Sequence, residues 1–264
     1  MFKNKQYIEV NREERHYCAL FMHVLLSSEV ARTDFADLIK SKCEKIKLDP
    51  QRMQIFVESA AIRDYWNSLG DSKSYDEETA QNRREWLNLI LKLFQFDTQI
   101  IDQQELFWTK EIGSKLWNPG HWSIDKINRS GLENADYLIN IKWAFNAKPD
   151  IMIISGDQVL LVEAKLVSPE GKYDNSGEDQ EKTQQRIAFL LKSLVPSFKR
   201  ITFHNVLLAR NTPSNEDRKW PINITWRDII DIVDDIRNEK VLDDFTKQNF
   251  KQLRERYYAK KKIM

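Results

Sequence analysis

Cysteine and histidine are scarce in this sequence, and neither shows the spacing of a metal site. The 264 residues include 2 cysteines, Cys18 and Cys43, and 4 histidines. The cysteines lie in predicted helices without metal-ligand spacing, so a reducing, cytoplasmic compartment is expected. His16 and His23 share one predicted helix, but they lie too far apart to be an i, i+4 pair of zinc ligands.

Sequence signatures of several other protein classes are also missing. No apolar run approaches the roughly 20 residues that a membrane-spanning helix needs, and residues 1–6 lack the apolar core of a signal peptide. A Gly-rich phosphate loop and a Gly-x-Ser-x-Gly motif are both absent from the sequence. We therefore expect no membrane partner, no nucleotide-driven motor and no serine nucleophile of the hydrolase type.

The net charge of +1 does not by itself indicate a nucleic-acid-binding protein. Phosphate binding depends on where positive charge lies, however, and residues 247–262 concentrate lysine and arginine around Tyr257 and Tyr258. This segment predicts either an arm that contacts phosphates and stacks bases on tyrosine or a solvated helix end.

The composition, with 41% hydrophobic and 31% charged residues, is typical of a folded globular protein. Periodicity and capping residues predict helices over 12–28, from Thr33 or Asp34 to about Lys47, 50–68, 75–96 (after a Ser74–Glu77 capping box), 178–195 and 226–236. Core strands are predicted over 136–143 and 200–209. We expect an α/β (α+β) fold in one domain of residues 1–264, with a helical region at about 12–96, a core at about 130–210 and C-terminal helices at about 224–264.

The most informative segment is 148–165, which reads as a β-hairpin. Two aliphatic runs, 151–155 and 158–162, suit adjacent strands. Between them lies the dipeptide Gly156-Asp157, which is a signal for a two-residue hairpin turn.

The register of this hairpin brings charged side chains together. If Ser155 pairs with Gln158, Asp150 lies opposite Glu163, with Cα atoms about 5 Å apart. Lys165 lies on the same face because side chains alternate along a strand. Two adjacent carboxylates on a mostly buried sheet repel each other, and a divalent cation such as Mg²⁺ removes that repulsion. The structural alternative is a simple ion pair between Lys165 and one of the carboxylates.

Pro149-Asp150, a spacer of twelve residues and Glu163-Ala164-Lys165 together resemble the motif of the PD-(D/E)xK nuclease superfamily. The resemblance implies a restriction-endonuclease-like αβββαβ core with a mixed central sheet, here preceded by the helical region. It also implies hydrolysis of phosphodiester bonds with Mg²⁺, for which Mn²⁺ can substitute. The metal ligands would be Asp150, Glu163 and the backbone carbonyl of Ala164, and Lys165 would position the attacking water.

The helix over 178–195 has further candidate residues. Its apolar stripe continues backward to Gln184 and Gln180, and several branches of the superfamily have a glutamine on this helix near the metal or the substrate phosphates. The alternative is that both glutamines belong to a solvated first turn.

The superfamily also usually supplies an acidic residue from a helix before the first strand. Glu14 is the first candidate, although it could serve only as a local capping partner of Asn11. Glu78 and Glu85 compete for the role because they share a predicted stripe with Leu89. Each of these two could instead be an exposed charge on a wide helix.

The expected function is that of a metal-dependent nuclease, with endonucleolytic cleavage of DNA as the first expectation. The alternative is a catalytically inactive protein of the same fold that binds nucleic acid or a protein partner. A homodimer is compatible with either. The sequence does not decide between DNA and RNA or between endonuclease and exonuclease.

Overall fold

Five strands of the described chain form one mixed sheet. The computed structural model describes residues 13–71, 73–166, 180–211, 220–236 and 241–258. The strands are β1 Met53–Val57, β2 Ile151–Ser155, β3 Gln158–Lys165, β4 Thr202–Ala209 and β5 Ile222–Thr225. They lie side by side in chain order, antiparallel from β1 to β3 and parallel from β3 to β5. The predicted mixed α/β class is therefore confirmed.

Helices make up most of the remaining described chain. The α-helices are α1 Glu13–Ser27, α2 Glu29–Lys42, α3 Ala61–Ser68, α4 Glu77–Leu93, α5 Ile100–Gln103, α6 Ile124–Arg129, α7 Asp136–Asn146, α8 Gln180–Leu194, α9 Trp226–Asp235 and α10 Asp244–Tyr257. Short 3-10 turns lie at Pro50–Arg52, Glu105–Phe107, Pro119–His121 and Pro196–Phe198. None of the described helices combines the length and the apolar character needed to cross a membrane.

The chain divides into two compact units. The sheet unit comprises Met1–Ser59, Pro149–Glu181 and Thr202–Met264, and it contains the five strands. The helical unit comprises Ala60–Lys148 and Lys182–Ile201. The sheet unit is thus assembled from three segments of chain, whereas the sequence-based boundaries place the core in one segment of about 130–210. That the whole chain acts as a single nuclease domain stays a prediction.

The predicted β2–β3 hairpin is confirmed in its register. Its two-residue turn begins at Gly156, which has a φ of 62°, a left-handed conformation that glycine adopts without steric cost. Ser155 pairs with Gln158, and Ile151 pairs with Val162.

One face of the sheet packs into the hydrophobic core of the sheet unit. Alternation along the strands puts Ile151 and Ile153 on the same face as Leu160 and Val162, and all four are buried. Helix α1 fills the same core with side chains at helical spacing, namely Tyr17, Phe21, Val24 and Leu25. This packing brings the first turn of α1 to the carboxyl end of β3.

Two predicted elements are wrong. The segment 136–143, predicted as the first core strand, belongs to helix α7. Its buried residues recur at helical spacing and are Leu138, Ile141, Ala144 and Phe145. The first strand is instead β1, which lies inside the predicted helix 50–68. The helix-start signal of Asp49 and Pro50 produces only one 3-10 turn, because the chain then pairs with β2.

Two helix starts also differ from the prediction. Asp76 is the N-cap of α4, in place of the predicted Ser74. Ser28 is the N-cap of α2, ahead of the predicted Thr33 or Asp34. In both helices the side-chain oxygen of the observed cap accepts a backbone N–H of the first turn. Strand β5, which leads into α9, has no counterpart in the prediction.

Candidate active site

The open end of the β2–β3 hairpin, here called the hairpin end, contains three of the predicted site residues, namely Asp150, Glu163 and Lys165. Asp150 directly precedes β2, and the hairpin register places it opposite Glu163. The backbone N–H of Ala164 donates a 2.8 Å hydrogen bond to Oδ2 of Asp150. The Nζ of Lys165 donates a 2.7 Å hydrogen bond to Oε1 of Glu163. The expected convergence of the three side chains is therefore present, while their roles stay predictions.

Glu163 and Lys165 form a largely enclosed ion pair, with side chains that are 11% and 14% exposed. Burial lowers the pKa of Lys165, but the charges of Glu163, Asp150 and Glu14 together outweigh it and raise the pKa above its ordinary value. Lys165 is therefore an ammonium group at neutral pH. The same ion pair is expected under the structural alternative, so the pair alone does not distinguish the two interpretations.

The Asp150 carboxyl lies in a strongly perturbed environment. Burial, followed by repulsion from Glu163, raises the pKa of Asp150 from its ordinary value of 3.8 to about 7. The hydrogen bond from Ala164 and the charge of Lys165 oppose this rise without cancelling it. A second positive charge at this point would favour the ionised carboxylate.

Helix α1 brings Glu14 to the same end of β3. The backbone N–H of Leu166, the residue after Lys165, donates a 3.1 Å hydrogen bond to Oε1 of Glu14. The charge of Glu14 also contributes to the raised pKa of Lys165. The structure thus brings the first of the candidate upstream glutamates to the hairpin end. Asn11, its partner in the capping alternative, lies outside the described residues.

The competing glutamates, Glu78 and Glu85, are exposed on α4. Oε1 of Glu85 accepts a 2.9 Å hydrogen bond from Nε2 of Gln81, one turn earlier. The predicted stripe shared with Leu89 is wrong, because Leu89 is 54% exposed. The buried stripe of α4 instead consists of Thr79, Arg83, Trp86, Leu87, Ile90 and Leu91. Glu78 and Glu85 are exposed charges on a wide helix.

Glu58, which the sequence did not single out, also lies at this end of the sheet. It follows β1, and its backbone N–H donates a 3.1 Å hydrogen bond to the carbonyl oxygen of Asp150. Its φ of 54° is left-handed, a conformation that costs a non-glycine residue about 1–2 kcal/mol. Its Oε1 lies 2.7 Å from Nε of Arg15. A strand ending in an acidic residue is the signal that could have identified Glu58, but β1 was predicted as helix.

The thiol of Cys18 lies within the electrostatic reach of these carboxylates. Burial raises the pKa of Cys18 well above its ordinary value, and the charges of Asp150, Glu163, Glu14 and Glu58 raise it further. Cys18 is therefore a protonated thiol that packs as a small apolar side chain. The charges of these four carboxylates therefore act on the same buried thiol.

Gln180 and Gln184 lie in the first turns of α8. Gln184 is 2% exposed. Gln180 is partly buried, and its Oε1 is enclosed without a hydrogen-bond partner among the described residues. Neither is the solvated side chain of the alternative interpretation. Their contact with a metal or a phosphate stays a prediction, and residues 167–179, which precede α8, lie outside the described residues.

The C-terminal segment is partly engaged within the sheet unit. The hydroxyl of Tyr258 donates a 2.6 Å hydrogen bond to the carbonyl oxygen of Arg210, and Arg254 pairs with Asp234. These two side chains therefore contact the protein itself, not solvent alone. Residues 259–262 of the predicted basic arm lie outside the described residues.

The donor atoms at the hairpin end suit a small, hard cation. Asp150 and Glu163 offer carboxylate oxygens and Ala164 offers a carbonyl oxygen, which are ligands of the kind that Mg²⁺ and Mn²⁺ prefer. Within the described part of the chain, no three His, Cys, Asp or Glu side chains already converge as a metal-binding group. Mg²⁺ needs only one or two carboxylates, however, because it retains waters and phosphate oxygens. The residues present therefore fit the expected ion.

Asp150 and Glu163 lie opposite each other at the hairpin end, Lys165 pairs with Glu163, and Glu14 accepts the N–H of the next residue, Leu166. No protein-family model matches the chain, and neither a curated protein nor a solved structure matches it.

Proposed function

We propose that this protein is a metal-dependent nuclease that hydrolyses phosphodiester bonds, with DNA as its expected substrate. The observation that carries the proposal is the meeting of Asp150 and Glu163 across the hairpin, with Lys165 held 2.7 Å from Glu163. The raised pKa of Asp150, about 7, supports a cation at this place because the ion would offset the repulsion between the two carboxylates.

A restriction-endonuclease-like fold is part of the proposal. The resemblance implies the order helix, three strands, helix, strand, and α1, β1, β2, β3, α8 and β4 follow one another in that order. The antiparallel β1–β2–β3 meander and the parallel β4 also fit a mixed sheet of this kind. Helix α2 and helices α3 to α7 would then be additions to the core, the latter inserted between β1 and β2.

In this proposal Asp150, Glu163 and the carbonyl group of Ala164 would hold Mg²⁺. When bound, the ion lowers the pKa of a ligated water and offsets the charge that develops on the phosphate. The backbone N–H of Ala164 orients Asp150 through its hydrogen bond to Oδ2. Ala164 thus contributes through its backbone, while its side chain is buried in the hydrophobic core of the sheet unit.

Lys165 supplies a fixed positive charge beside the two acids. Because neighbouring carboxylates raise its pKa, it acts as a hydrogen-bond donor and not as a resting-state base. It would orient the attacking water and stabilise the extra negative charge of the transition state. A single preorganised donor of this kind contributes about 10²–10³-fold in rate.

Nicking of a supercoiled plasmid in Mg²⁺ tests the proposal. The wild-type protein should nick the plasmid, and EDTA should prevent it. Asp150→Asn should remove the activity, because it deletes a charge at the hairpin end while keeping an oxygen to accept the Ala164 N–H. Asp157→Asn, the same substitution at the exposed turn of the same hairpin, should remain fully active.

Two results would count against the nuclease. Equal nicking by Asp150→Asn and the wild-type protein would exclude Asp150 from the reaction. DNA binding by the wild-type protein without cleavage in either Mg²⁺ or Mn²⁺ would favour the non-catalytic alternative, in which Glu163 and Lys165 are only a structural ion pair.

A further inference from the structure

A cavity of about 430 Å³ opens in the helical unit. Phe94 at the end of α4, Tyr137 and Asn140 of α7, and Lys182 and Phe189 of α8 are among the residues that line it. Pockets for small ligands measure roughly 300–1,000 Å³. The cavity is therefore large enough for a group of the size of a nucleotide.

Three aromatic rings line this cavity, and the ring plane of Phe94 is tilted by 32° to that of Tyr137 and by 68° to that of Phe189. The ring centroid of Phe94 lies 5.3 Å from that of Tyr137 and 6.1 Å from that of Phe189. Tyr137 and Phe189 are 44% and 47% exposed, although aromatic rings gain stability from burial. A flat, aromatic ligand would cover the exposed ring surface.

Two cations lie on the same lining. Lys182 and Arg186 are one turn apart on α8, so their side chains share one face of the helix. Lys182 is exposed and forms no ion pair with any residue in the described ranges. A ligand that matches both the rings and the cations combines an aromatic plane with negative charge, as a nucleobase with its phosphate does.

We propose that this cavity binds an unpaired base of a single-stranded nucleic acid, a proposal that rests on the nuclease function proposed above. The base stacks on the ring of Phe189 and contacts Tyr137, and Lys182 and Arg186 contact the adjacent phosphates. The side-chain amide of Asn140 offers both a donor and an acceptor to the edge of the base.

The occupant is an unpaired base because a paired base cannot reach the rings. In a duplex both faces of each base are covered by neighbouring bases, and only a splayed or single-stranded base offers its face to aromatic side chains. An aliphatic peptide would offer no negative charge to Lys182, and an acidic peptide would leave the rings uncovered. Through this pocket, the protein would bind nucleic acid that contains unpaired bases more tightly than a fully paired duplex.

Binding of labelled oligodeoxynucleotides to the full chain in EDTA, measured by fluorescence anisotropy, tests the pocket without cleavage. A mixed-sequence single strand should bind at least about fivefold more tightly than an abasic strand with the same phosphates. Phe189→Ala should weaken binding of the normal strand about tenfold. Leu89→Ala, an exposed apolar residue of the same unit outside the cavity, should leave it unchanged.

The contribution of Lys182 to phosphate binding is tested separately, by the salt dependence of the affinity. Lys182→Ala should make the slope of log affinity against log salt shallower by about 0.7, the value for one phosphate contact on a single strand. Lys192→Ala, an exposed lysine on the same helix outside the cavity, should keep the wild-type slope. Phe189→Trp should retain binding because it keeps a stacking surface.

Any one of three results would contradict the proposal that this cavity binds an unpaired base. These are equal affinity for the abasic strand, wild-type affinity in Phe189→Ala, or a mononucleotide that binds as tightly as the oligonucleotide. If any of them occurs while the wild-type protein still nicks plasmid and Asp150→Asn does not, the nuclease proposal stands without the pocket. Absence of both cleavage and nucleic-acid binding would overturn both proposals.

Discussion

Glu14 accepts a 3.1 Å hydrogen bond from the backbone N–H of Leu166, although 152 positions separate the two residues in the chain. The bond ties the first turn of α1 to the residue that follows β3. It places a carboxylate beside Lys165, whose pKa the charge of Glu14 helps to raise. Glu14 is thus a fixed part of the hairpin end.

Glu14→Gln should lower Mg²⁺-dependent cleavage by about ten- to a hundredfold, the usual effect of removing a supporting group near a metal. Glutamine keeps an oxygen for the Leu166 N–H, so the fold should be retained and only the charge lost. Plasmid nicking at several Mg²⁺ concentrations measures the effect, and thermal unfolding checks the fold.

Glu78→Gln and Glu85→Gln are the matched controls for this substitution, because both glutamates are exposed on α4. Each variant should cleave at the wild-type rate. Loss of cleavage in Glu85→Gln together with normal cleavage in Glu14→Gln would reverse the assignment of the upstream acid.

Lys165→Met should destabilise the protein as well as inactivate it. The substitution leaves Glu163 enclosed without its partner, and breaking a buried ion pair in this way costs about 3–5 kcal/mol. The double variant Glu163→Gln/Lys165→Met should recover much of the lost free energy of unfolding while remaining inactive. Chemical denaturation in EDTA measures the free energy of unfolding of the single and the double variant.

Lys45→Met, at an exposed position, should have wild-type stability and cleavage. A Lys165→Met variant as stable as the wild-type protein would contradict the energetic role of the ion pair. An active double variant would exclude both side chains from the reaction.

Without metal, the contribution of Asp150 to the stability of the protein should fall as the pH rises from about 4 to about 7. Asp150 has its ordinary pKa of 3.8 in the unfolded chain and a pKa of about 7 in the folded protein. Between these values the folded state binds more protons than the unfolded state. The free energy of unfolding then decreases with pH. The full effect above pH 7 is on the order of 4 kcal/mol.

Asp150→Asn should remove this contribution because asparagine does not titrate. The variant should therefore gain stability relative to the wild-type protein as the pH rises through this range, and the gain should level off above pH 7. Urea denaturation at a series of pH values in EDTA measures it. A difference between the two proteins that does not change with pH would contradict the assignment of the shift to Asp150.

The hairpin could be predicted from the sequence because its determinants are local. Gly156 favours the turn, and a two-residue turn fixes the register of both strands. The register in turn places Asp150, Glu163 and Lys165 on one face. These residues needed no information from distant parts of the chain.

Glu58 and strand β1 could not be predicted in the same way. The segment Met53–Val57 becomes a strand through pairing with β2, which comes much later in the chain, and a short apolar run reads equally well as part of a helix. The same ambiguity made α7 appear to be a strand. The place of Glu58 depends on where β1 ends and on its own left-handed backbone, neither of which its local sequence specifies.

Mg²⁺ should stabilise the folded protein through the hairpin end. An ion that binds only the folded state adds about 2.7 kcal/mol to the free energy of unfolding at a hundred times its Kd, and here it also offsets the repulsion between Asp150 and Glu163. The midpoint of thermal unfolding should therefore rise with Mg²⁺ in the wild-type protein. It should stay nearly constant in Asp150→Asn/Glu163→Gln, which lacks both negative charges.

Potassium at matched ionic strength separates specific binding from screening. It should raise the unfolding midpoint of the wild-type protein less than Mg²⁺ does. Isothermal titration gives the Kd of the ion directly for both proteins. An equal rise of the midpoint in the wild-type protein and in the double variant would show that Mg²⁺ binds elsewhere. In that case the two acids would be stabilised by donors of the protein, among them the Ala164 N–H and Lys165, and the metal-dependent chemistry proposed for the hairpin end would have no basis.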